Sequence, residues 1–168
     1  MRPRKMRSPK NPRATTGLLL MYLVALLLPA AAAEGWTRFG PGPSDVRVMT
    51  IYGYHFLLDG VLLLILPFLL SDWSVWCWLA NPIFLVGVRF VAADRPKAAA
   101  WLGGVATALA ATAFGYSGQD AGLLGLYNIR GLLPGYYIWL GSMVFLTSCG
   151  IALLSRQHRN RERVFYRE

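Results

Sequence analysis

Histidine and cysteine are scarce, with two of each in the chain (His55, His158, Cys77 and Cys149), and acidic residues number 8 against 17 lysines and arginines. The two cysteines lie in separate apolar runs, so they form neither a disulfide framework nor a metal site. Both read as small buried apolar side chains. With only two histidines, a histidine-rich metal or redox centre has no ligands. There is no glycine-rich phosphate loop, no metal-ligand spacing and no nucleophile beside an evident base. The sequence therefore offers no catalytic, cofactor-binding or metal site, and it argues against an enzyme, whose site needs convergent acid, base or electrophilic groups.

Polar surface is scarce too. Of the 168 residues 55% are hydrophobic and 15% charged. Runs that are apolar on every side belong to lipid or to a large core, and a chain of this length cannot bury five of them. The net charge of +9 would suggest nucleic acid if it lay on a folded surface. Its distribution points elsewhere: six of the lysines and arginines fall within the first thirteen residues and five follow Leu154. These residues flank apolar segments as topogenic charges do, so the expected partner is the bilayer and not nucleic acid.

The expected fold class is all-α, a polytopic membrane helical bundle with five apolar helical segments. Residues 1–16 read as a basic disordered cytoplasmic tail, 17–154 as the membrane domain and 155–168 as a second basic cytoplasmic tail, a solvated extension. Residues 17–33 would span about 26 Å as a helix, close to a hydrocarbon core of about 30 Å. The same segment also reads as a signal peptide, with Pro29 as breaker and Ala31-Ala32-Ala33 before Glu34. An uncleaved anchor is the preferred reading, since more membrane segments follow.

Residues 34–52 contain Gly40-Pro41-Gly42-Pro43 and read as an external loop, with Ser44 or Asp45 capping a helix that starts near Val46. Apolar runs follow at 53–70, 76–92, 98–116 and 135–154, with a glycine-rich near-neutral connection at 117–134. Asn81-Pro82 reads as an N-cap followed by proline at the first helical position.

Counting crossings sets hydropathy against charge. Five crossings would put the basic tails on opposite sides and Arg95 and Lys97 outside, against the positive-inside bias. Four net crossings, with 53–97 contributing one, keep both tails and this connection inside. Pro67 and Pro82 make a re-entrant or interfacial segment physically possible.

Asp59 costs on the order of 3 kcal/mol at the centre of a membrane helix. His55, one turn earlier, shares its face. Arg89 is the other expensive residue, able to pair with Asp59 or to snorkel. His55, Asp59 and Arg89 thus form the candidate intramembrane polar site. Gly103, Thr107, Ala111 and Gly115 recur at intervals of four, beside a parallel row of Gly104, Ala108 and Thr112, and predict a helix-packing face.

At Trp78-Leu79-Ala80-Asn81-Pro82 and at Pro134-Gly135-Tyr136-Tyr137-Ile138-Trp139-Leu140-Gly141-Ser142-Met143 the chain resembles small bacterial multi-pass inner-membrane proteins. The resemblance covers mainly 78–151. It implies a plasma-membrane location and a helical architecture, with no reaction attached and no functional residue to carry over. The expected function is a non-enzymatic accessory or self-associating membrane component, acting as a homo-oligomer or within a larger membrane complex. The alternative is a small oligomeric ion, proton or solute transporter using His55 and Asp59.

Overall fold

Proline opens three of the helices, at Pro12, Pro96 and Pro134. Its missing N–H has no helical partner at a first-turn position, and its fixed φ suits the helix. The computed structural model describes residues 11–36, 46–65, 74–116, 120–121 and 127–165. Five helices dominate: α1 (Pro12–Leu27), α2 (Gly53–Ile65), α3 (Ser74–Ala92), α4 (Pro96–Ala111, prolonged by a 3-10 turn at Thr112–Tyr116) and α5 (Pro134–Phe165).

The chain is mostly helical, as expected, but parts of the segments read as loops, together with residues 29–33 read as helix, form a sheet. Strands β1 (Pro29–Trp36), β2 (Val46–Tyr52), β3 (Asp120–Ala121) and β4 (Tyr127–Leu132) pair antiparallel in the order β2-β1-β4-β3. This corrects two expectations. Helix α1 ends at Leu27 instead of running to residue 33, because Pro29 drives Leu28 into an extended conformation (ψ 154°). The alanines that follow have high helix propensity, yet β2 and β4 on either side take up their backbone groups. Val46–Tyr52 is a strand and not the start of a helix, consistent with its β-branched residues. Ser44 and Asp45, the expected caps, lie outside the described residues, as does Pro67.

Alternation along the strands seats the sheet on the bundle. Ala31, Ala33, Ile51 and Ile129 are buried together with Ala113 and Tyr136 of the helices. The small β1 side chains keep the sheet low over the helix ends. Elsewhere on the sheet, Arg130 of β4 reaches Glu34 of β1 at 2.7 Å, and the carboxylate holds the guanidinium more firmly protonated.

The remaining core lies between α1, α3, α4 and α5, centred on Leu18, Phe84, Val91, Met143 and Leu146. Tyr22 stacks on Phe84 with ring centroids 5.1 Å apart. Helix α3 hands over to α4 in a tight reversal. Asp94 takes φ 57°, Arg95 N–H donates to Phe90 C=O at 2.9 Å and Asp94 N–H to Val91 C=O at 3.2 Å. That is a Schellman ending with aspartate in the left-handed position usually held by glycine.

The stretches Pro96–Gly115 and Pro134–Arg159 are long and apolar enough to cross a membrane, and of an apolar run of 18 residues within each, 28% and 22%, respectively, is buried within the chain. A core helix of a soluble protein would be mostly covered. Here the uncovered side carries large apolar residues, among them Trp101, Val105, Val144, Phe145 and Ile151. Helix α5 also continues to Phe165, through the residues expected to be a solvated tail, so it extends about 48 Å.

Candidate functional site

Asn81 lies inside α3, with Pro82 also inside the same helix, so it does not cap a new helix. Proline at 82 has no N–H for the carbonyl of Trp78, four residues back. The side-chain amide of Asn81 donates to that carbonyl at 3.1 Å and replaces the missing donor. Its Oδ1 meanwhile accepts from the Tyr22 hydroxyl at 3.0 Å and the Trp139 indole N–H at 2.8 Å. Three of the four hydrogen-bonding positions of the amide are thus used, and one buried side chain ties α1, α3 and α5 together. The signal was present in the sequence as an Asn-Pro pair within an apolar run, with aromatic residues carrying polar tips in two other runs.

A second polar contact closes the top of α4. The Tyr136 hydroxyl donates to Ala110 C=O at 2.9 Å, near the end of α4, where carbonyls run out of helical partners. These groups are satisfied by one another and act as fasteners.

Of the predicted polar site, the described side chains of His55 and Arg89 lie apart. His55 is exposed in the first turn of α2, its Nδ1 accepts from Tyr52 N–H at 3.3 Å, and its ring lies 4.1 Å from that of Tyr54. This is half of a capping box, with the third helical residue reaching back to the N-cap amide. Asp59 follows one turn later in α2; its side chain lies outside the described residues. Arg89 is exposed in the last turn of α3. Helices α2 and α3 touch where the Trp78 indole donates to Leu57 C=O at 3.2 Å, and Arg89 is about 16 Å farther along α3. Among the described residues no three His, Cys, Asp or Glu side chains converge as metal ligands would.

The predicted packing face is divided. Gly103 is buried against α5, where a β-carbon would lie 2.7 Å from the Thr147 backbone nitrogen. Gly150 meets α4 equally closely, since a β-carbon there would stand 2.5 Å from the Ala100 nitrogen. Thr107 and Ala111 are half-buried, and Gly115 is exposed with open space around it. The helix that approaches this row is therefore α5 of the same chain. Gly104 and Ala108, from the parallel row, are exposed. No protein-family model, curated protein or solved structure matches the chain.

Proposed function

We propose that this chain is a non-enzymatic multi-pass integral membrane protein, an accessory component of a bacterial inner membrane, in which α1, α3, α4 and α5 make four net crossings. The observation that carries this reading is the contact between Trp78 and Leu57. Both residues lie near the beginnings of their helices, so α2 and α3 start from the same end, beside the sheet. With α2 and α3 both starting there, α3, and not α2, counts as a crossing.

Charge supports the same map. Arg13, Arg89, Arg95, Lys97, Arg156 and Arg159 are exposed toward the end opposite the sheet, with Asp94 half-buried among them. The positive-inside bias puts that end, and both termini, in the cytoplasm. The sheet then faces the periplasmic side, where Glu34 and Arg130 offset each other. An accessory role fits polar groups that fasten the fold internally and an exterior dominated by apolar side chains. The alternative, an ion path through His55 and Asp59, draws no support from His55, whose Nδ1 is committed to a backbone amide.

Single cysteines at Val48, Lys97 and Arg156, in a background with Cys77 and Cys149 replaced by alanine, test the map in intact cells. An impermeant maleimide is expected to label position 48 and to reach 97 and 156 only after the membrane is opened. Labelling of 156 in intact cells would reverse or break the four-crossing arrangement.

A further inference from the structure

A groove of about 380 Å³ runs along the outer junction of α4 and α5, lined mainly by Trp101, Gly104, Val105 and Ala108 on one side and Thr147 and Ile151 on the other. Its lining is almost wholly apolar, because the Thr147 hydroxyl is turned back to Met143 C=O at 3.1 Å. Gly104 leaves the middle of the groove open, with nothing within 4 Å of where its β-carbon would be. Trp101 is 77% exposed at one rim.

The foot of this groove is basic. Lys97 precedes Trp101, Gly104 and Ala108 by four, seven and eleven residues, so it shares their face of α4. Helices α4 and α5 run antiparallel with Ala100 against Gly150 and Gly103 against Thr147, a register that sets Lys97 level with Leu153. Ser155 and His158 continue the face of Thr147 and Ile151 in the turn below, with Arg159 beside them, and all are exposed. Arg89 and Arg95 add charge at the same end.

We infer that this groove holds an acyl chain of an anionic phospholipid whose phosphate sits at Lys97. The inference rests on the membrane reading above and adds a ligand to it. Charge decides the occupant. A second copy docked here about a two-fold axis along the membrane normal would bring two collars of lysine and arginine together, and like charges at an interface oppose association. An anionic headgroup neutralises the collar, and basic pockets between membrane helices on the cytoplasmic side suit such headgroups. Trp101, one turn into α4 from Lys97, is where an interfacial indole belongs.

The test uses the full chain reconstituted in vesicles of phosphatidylcholine with or without phosphatidylglycerol, with bromine on the chains of one lipid at a time. The Trp101 contribution to fluorescence is the difference from Trp101→Phe. Brominated phosphatidylglycerol should quench it about fivefold more per mole than brominated phosphatidylcholine, the ratio expected of one lysine near the surface. Lys97→Gln should abolish that preference, and Gly104→Leu, which points into open space, should reduce quenching by both lipids. Equal quenching by the two lipids, or a preference unchanged in Lys97→Gln, would overturn the inference, as would efficient disulfide cross-linking between copies carrying Trp101→Cys. Protein extracted from the vesicles by alkaline carbonate would instead overturn the membrane reading itself, and the inference with it.

Discussion

Asn81 donates its side-chain amide to the carbonyl of Trp78, the one acceptor in α3 that Pro82 leaves without a helical donor. The same side chain accepts from Tyr22 and Trp139, so the local repair of a proline defect and the joining of three helices are one arrangement.

Replacing Asn81 by alanine strands a hydroxyl, an indole N–H and a carbonyl in a buried setting. The expected loss is about 2–4 kcal/mol of stability, read from denaturant or thermal unfolding of the detergent-solubilised protein. Adding Pro82→Ala in that background restores a donor for Trp78 and should recover about 1 kcal/mol. An unchanged double variant would mean that the Trp78 carbonyl finds no helical donor even without the proline.

Gly103 and Gly104 are neighbours with opposite surroundings. Gly103→Leu should destabilise by about 2 kcal/mol or more through overpacking against Thr147. Gly104→Ala meets open space and should stabilise by about 0.5–1 kcal/mol through helix propensity. The comparison of unfolding midpoints checks both, and equal effects would contradict the observed α4–α5 contact.

The β1 alanines offer a direct check that the segment after α1 is a strand. Ala33 is fully buried under the sheet and Ala32, on the other face, is partly open. Ala33→Leu should cost about 1–3 kcal/mol by overpacking, whereas Ala32→Leu should be nearly neutral. A helix through these residues would not produce that alternation.

Tyr136→Phe removes the hydroxyl that serves Ala110 C=O. A loss of about 1–2 kcal/mol is expected, together with faster hydrogen exchange in the 3-10 turn at Thr112–Tyr116. Unaltered exchange there would show that the hydroxyl does not hold the end of α4.

Much of the helical framework was legible because apolar runs and prolines act locally. The apolar runs at 98–116 and 135–154 correspond to α4 with its 3-10 turn and to α5, whose starts at Pro96 and Pro134 lie within two residues of the runs. The sheet was illegible for a physical reason. Ala30–Ala33 has a local preference for helix, and only pairing with Val46–Tyr52 and Tyr127–Leu132, the latter about 100 residues away in the chain, makes it a strand. The partner of His55 was hidden in a similar way. His55 and Asp59 share a helical face by spacing, but spacing says nothing of the Tyr52 amide that occupies His55.

The sequence by itself determined that this chain is built largely of apolar helices with basic residues at their flanks, because hydropathy and charge are properties of single residues summed over short windows. Tertiary structure alone decided which groups meet. Asn81 became a junction and not a cap because Tyr22 and Trp139 come within hydrogen-bonding distance, and Gly103 was covered by α5 because Gly103 and Gly150 allow the backbones to touch. Such pairings depend on distances between segments far apart in the chain, which no local pattern encodes.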